Sequence, residues 1–247
     1  MPIDPVEIAA LAAAAFAGSV IFGVTGFGAA LVTVPFATHF VPLPFALALF
    51  ELMDLANAFR VGFENPKNAV KSEWTRMVPT ILVGTVVGVT LLVNLPRGAA
   101  TLALGVFVLL FALYSLVRNP DVHRVVSSRW AWIAGLTGGI TSTIFGAGGP
   151  PYAMYLSQRG LSKEQFRATL GLATLTSISI RTIAFVVTGI LLDPKVWLYA
   201  LVVVPAGLAG IWAAGHLFRR ISRATLMRVV ALMLLASGAS LIVRALA

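Results

Sequence analysis

Apolar residues run in long stretches along this chain, and the polar ones gather in short gaps between them. The stretches cover 8–38, 43–59, 77–95, 99–117, 131–158, 168–192, 196–218 and 225–243. Six of the eight have the length of a plain membrane-crossing helix, roughly 17 to 25 residues at about 1.5 Å per residue. The first and fifth are longer, rich in glycine and interrupted.

Those two interrupted stretches resemble each other. The first holds Ile21-Phe22-Gly23-Val24-Thr25-Gly26-Phe27-Gly28, the fifth Ile144-Phe145-Gly146-Ala147-Gly148-Gly149-Pro150-Pro151, and both read IFGxxG. Trp74 and Trp197 recur at the same spacing, and Pro79 with Gly84 and Gly88 is echoed by Pro205 with Gly207 and Gly210. A duplicated unit of four apolar segments accounts for this. The expected repeats are 1–118 and 130–247, joined by a cytoplasmic linker at 119–129, in one integrated membrane domain.

The distribution of Lys and Arg decides how the segments cross. If all eight span, the loops carry nine basic residues on one side and eight on the other. If the first and fifth dip in and return on the same side, the split becomes fourteen against three, with Arg181 left inside the membrane. Cytoplasmic loops are enriched in Lys and Arg, so the second topology is favoured. Each half then has three crossings and one re-entrant hairpin, and an odd number of crossings inverts the second half. The predicted fold is an all-α polytopic membrane protein of two inverted repeats, each a Gly-rich broken hairpin plus three transmembrane helices. Both termini fall outside the cytoplasm, and substrate sites in such folds lie near the midplane between broken helices.

Composition agrees and adds exclusions. The 247 residues are 59% hydrophobic and only 11% charged, against roughly 25% charged in a soluble domain. A soluble fold is excluded. The net charge of +9 belongs to cytoplasmic loops rather than to a nucleic-acid surface. Without cysteine there is no disulfide, thiolate metal site or cysteine nucleophile. No Walker A pattern points to a pump, and no cofactor or metal is expected. Asp4 and Glu7, with no Lys or Arg before the first apolar run, do not make a signal peptide, so that run is expected to be retained.

The chemistry is expected at the breaks. A re-entrant tip leaves backbone groups unpaired, which hydrocarbon does not tolerate unless the tip is buried in protein or lines a cavity. Gly23, Thr25, Gly26 and Gly28 at one tip and Gly146, Gly148 and Gly149 at the other would form an anion cradle of free N–H groups and half-helix dipoles. The alternative is that these glycines serve close helix packing. Arg181, deep in the sixth stretch, is either a fork for a carboxylate or sulfonate or the partner of Asp54 or Glu51. Asp54 and Glu51, at i and i+3, are candidates for coupling to a proton or cation, with Glu51 the nearer to its helix start. His216 reads as a cytoplasmic interface residue. Tyr152, Tyr155, Thr174, Thr176, Ser177 and Ser179 are candidates for the cavity wall, Tyr152 and Ser177 as substrate contacts.

The paired motifs, Phe22-Gly-Val-Thr-Gly-Phe-Gly through Pro35 and Phe145-Gly-Ala-Gly-Gly-Pro-Pro, in a chain of this length with this duplication, resemble the sulfite exporter TauE/SafE family, also called the 4-toluene sulfonate uptake permease family. The resemblance spans essentially the whole chain and implies a secondary carrier of sulfite, sulfonates, sulfoacetate or related anions in a bacterial inner membrane. The first motif departs from the more Gly-dense form at Ala29 and Ala30. The partners implied are a small sulfonate, sulfite or carboxylate anion, the lipid bilayer and a coupling proton or cation, with a homodimer left open and no nucleic acid. An enzyme is not expected. The competing functions are an anion channel and, on Ser237 and His216, a rhomboid-like serine protease.

Overall fold

The computed structural model describes residues 5–117, 125–217 and 223–246, and every regular element among them is helical. Ten α-helices follow in order: α1 (Pro5–Thr25), α2 (Ala29–Ala37), α3 (Leu43–Gly62), α4 (Lys71–Asn94), α5 (Arg97–Val117), α6 (Trp130–Phe145), α7 (Gly149–Leu156), α8 (Lys163–Val187), α9 (Pro194–Leu217) and α10 (Arg223–Leu246). Short 3-10 turns at Pro66–Asn68 and Ile190–Leu192 precede α4 and α9. The eight apolar stretches are therefore present, and the first and fifth are each split in two. Among the described residues four helices, α1, α4, α8 and the 194–215 part of α9, are long and apolar enough to cross a membrane.

The splits occur where the sequence cannot continue a helix. Gly28 precedes α2 with φ of +92°, and Gly146 ends α6 with φ of +71°, a left-handed conformation that residues with a Cβ rarely adopt. Beyond each break the chain folds back. Gly18 of α1 lies against Ala29 and Thr33 of α2, and Gly28 lies beside Ile21, so α1 and α2 run antiparallel. In the same way Gly148 abuts Ser142, and Gly138 faces Tyr152, which makes α6 and α7 a second hairpin. The ends of the second hairpin are tied together, because the Val126 N–H donates to the Gln158 carbonyl at 3.0 Å.

Packing between the halves is reciprocal. The long arm of each hairpin lies on the fourth helix of the other half, α1 on α9 and α6 on α4. Likewise α3 contacts α9 as α8 contacts α4, while α5 pairs with α10 and α3 with α8. Exchanging the halves leaves this list unchanged, as two copies of one unit require. The approach of α4 and α6 is close. A Cβ on Gly139 would stand 2.5 Å from the Ile81 carbonyl oxygen, so only glycine permits that spacing.

One boundary differs from expectation in a way that matters. α8 begins at Lys163, not 168, because Ser162 caps it in a reciprocal capping box with Gln165. Arg181 is therefore the nineteenth residue of α8 rather than fourteen residues into its span. Its partners lie near the middle of α3, so its central place comes from the neighbouring helix.

Candidate substrate site

The two hairpin tips meet. Gly149, at the start of α7, lies directly against the Phe27 side chain of the first tip, and a Cβ on Gly146 would stand 2.6 Å from Ala30 Cβ. Between them is a small cavity of about 20 Å³, room for one water-sized guest. Phe22, Phe27, Gly28, Ala29 and Ala30 line it from the first tip, Ser142, Gly146, Gly148, Gly149 and Tyr152 from the second, and Asp54, Thr174, Ser177 and Ile178 from α3 and α8.

The tips are not equivalent as donors. Ala29, Ala30 and Leu31 open α2, and their N–H groups have no partner within the helix. In α7 the corresponding turn is Gly149-Pro150-Pro151, and the two prolines carry no N–H. The first tip thus supplies most of the backbone donors, although both helices turn their positive ends to the cavity.

Behind the cavity lies a buried charge cluster. Arg181 is only 1% exposed; its Nη2 donates to Asp54 Oδ2 at 3.2 Å, its Nη1 to the Ser142 carbonyl at 2.6 Å, and its Nε is ion-paired with Glu51 Oε2. Glu51 also accepts from the Thr182 hydroxyl at 2.6 Å. The alternative partners expected for Arg181 are therefore both engaged at once. Glu51 is fully buried although it lies nearer the start of α3 than Asp54 does. One cation faces two carboxylates, and the free oxygen of the set, Asp54 Oδ1, is buried without a hydrogen-bond partner. Thr174 Oγ1 is in the same condition, and both residues border the cavity.

The expected site residues divide accordingly. Gly28, Gly146, Gly148, Gly149, Tyr152, Ser177 and Asp54 border the cavity, with the Tyr152 hydroxyl donating to Ser177 Oγ at 3.0 Å. Arg181 and Glu51 lie behind it. Gly23 packs against Ala214 of α9, so there the close-packing alternative holds. Thr25 closes its own tip, donating to the Ile21 carbonyl and accepting from the Phe27 N–H, and Gly26 is outside the lining. Tyr155 and Thr176 are taken elsewhere, Tyr155 by Glu73 and Thr176 by the Trp74 indole at 3.0 Å, and Ser179 is also outside the lining. The side chain of His216 and residues 119–124 of the linker lie outside the described residues.

Sequence reasoning missed a second polar cluster. Glu73 of α4 accepts from Arg159 Nη2 at 2.8 Å and from the Tyr155 hydroxyl, and Arg159 also donates to the Val126 carbonyl. Glu73 and Arg159 sit in polar gaps between the apolar stretches, where Arg159 enters only the count of Lys and Arg and Glu73 carries no signal.

Comparison with known proteins settles the class. The profile of the sulfite exporter TauE/SafE family matches residues 10–241. The chain belongs to that family. It is 27% identical over 237 residues to the probable sulfite/organosulfonate exporter TauE of Cupriavidus necator, covering 93% of this chain and 91% of that protein. No solved structure matches it. TauE/SafE proteins are transporters, not enzymes, so this chain is an integral membrane transporter.

Proposed function

We propose that this TauE/SafE chain is a secondary active carrier of small sulfur-containing or organic anions such as sulfite, sulfonates or sulfoacetate. The anion is held near the midplane between the two hairpin tips, in inverted repeats that alternate access to it. The carrier resides in a bacterial inner membrane with its termini outside the cytoplasm. The observation that carries this reading is the convergence of the α2 and α7 N-termini on one buried cavity, since free N–H groups and positive helix ends are what a desolvated anion needs. The relative's printed name supports the substrate class.

The cavity as it stands is too small for a sulfonate, so the tips must part to admit one. Arg181 acts as a positioning residue: it fixes Asp54 and the Ser142 carbonyl of the second tip. The test is thermal unfolding of purified protein with sulfite, sulfoacetate, taurine, thiosulfate, sulfate and simple carboxylates. A ligand at a hundred times its Kd adds about 2.7 kcal/mol of stability. Stabilisation by sulfur oxyanions, lost in Gly149→Val, is the expected result. Stabilisation by none of them, or an equal effect in the variant, contradicts the reading.

A further inference from the structure

We infer that Asp54 is an internal competitor for the anion site, so that the transported anion binds only together with a proton taken up by Asp54. The inference rests on the proposed placement of the anion between the tips and deepens it.

Asp54 has its two oxygens in different surroundings. Oδ2 accepts from Arg181, whereas Oδ1 has no partner, although Asp54 is only 3% exposed and borders the cavity. Buried polar atoms are ordinarily hydrogen-bonded, and a group left without a partner needs an explanation. Here the residue that carries the unpartnered atom borders a cavity toward which two helix N-termini turn. An ionised Asp54 therefore occupies, from within the protein, the electrostatic place that a sulfonate or sulfite oxygen would take. Two anionic groups in one cavity of about 20 Å³ repel strongly.

The charge count leads to the same end. The groups facing Asp54 are Glu51 on its own helix, Arg181 and the neutral Thr174 and Ser177 from α8, and Tyr152 from α7. The residues of α1 and α2 that line the cavity carry no charge. With both carboxylates ionised, the one guanidinium balances only one of them, which leaves one negative charge in the cluster before any substrate arrives. A bound monoanion would raise the deficit to two. One proton from water, converting the Asp54 carboxylate to a carboxylic acid, removes the repulsion and gives Oδ1 or its proton a hydrogen bond to make with the incoming anion or with Thr174. Anion and proton thus bind cooperatively and travel in the same direction, one for one. For a monovalent anion the step is electroneutral, and its direction follows the combined anion and pH gradients.

The experiment measures the sulfoacetate affinity of the purified full chain between about pH 6 and pH 8.5, where both acidic groups of the probe stay ionised. Each pH point is run in sodium and in choline buffers. In the wild type the Kd should fall toward tenfold per pH unit of acidification, the slope of one linked proton, and be indifferent to sodium. Asp54→Asn, which keeps an acceptor for Arg181 and leaves Glu51 to balance it, should bind at least as tightly as the wild type does at low pH, with no pH slope. Thr174→Val, which keeps Asp54, should retain the slope. A pH-independent wild type, an unchanged slope in Asp54→Asn, or a dependence on sodium in place of pH overturns the inference while leaving the anion site standing. Absence of sulfoacetate binding in all three folded proteins overturns the proposed substrate class and the inference together.

Discussion

Arg181 shows what one residue contributes when every partner is buried. A guanidinium removed from water is costly unless paired, and here two carboxylates and a backbone carbonyl receive it. Arg181→Gln should destabilise the protein by about 3 to 5 kcal/mol, because it strands Glu51 and Asp54 without a cation; a melting temperature equal to wild type would contradict that. The second cluster offers a contrast with an exposed pair. Glu73→Ala leaves Arg159 and the Tyr155 hydroxyl without their acceptor and should cost about 1 to 3 kcal/mol. Glu64→Ala, which breaks a half-exposed pair with Arg167, should cost about 1 kcal/mol or less. Equal losses in the two variants would show that burial of Glu73 does not matter. At this scale the sequence spoke unevenly. Arg181, Asp54 and Glu51 stood out because charge inside an apolar run is conspicuous, but that Arg181 engages both acids depends on how α3 and α8 cross. The free Thr174 hydroxyl had no separate signal, since membrane helices often bond such groups to their own backbone.

At the scale of elements, the hairpins were legible from Gly146 through Pro151 because chain chemistry forbids a helix there. Length alone marks α1, whose 21 residues suffice to cross a membrane, as a candidate span. What marks it as one arm of a hairpin is the return of α2 along it. The contact of α4 with α6 depends on small residues at Gly84, Gly135 and Gly139. Gly139→Ala should press a methyl group onto the Ile81 carbonyl and cost about 1 to 3 kcal/mol, measurable as a lower unfolding temperature. Gly98→Ala, with open space around it, should change little. Helix starts were less legible: the Ser162 cap on α8 is a local signal outside the apolar run, so hydropathy placed the boundary five residues late.

The whole molecule brings together packing and topology. The contacts of α1 with α9 and α6 with α4 are reciprocal between the halves, and the Lys and Arg split predicts their orientation in the membrane. Because the chain has no cysteine, single cysteines at Ser127 and Ser162 can be labelled without background. Both should react with an impermeant maleimide from the cytoplasmic side alone; opposite sides would contradict the re-entrant second hairpin. The duplication is expected from glycine motifs at fixed spacing, whereas the meeting of Gly149 with Phe27 depends on how the two halves dock. Transport itself is most directly tested by counterflow in proteoliposomes preloaded with unlabelled sulfoacetate. A carrier that alternates access should transiently concentrate external labelled sulfoacetate above equilibrium, with saturating initial rates, and Gly149→Val should abolish the overshoot. Flux that rises linearly with concentration and shows no overshoot would mean an open anion channel and contradict the account.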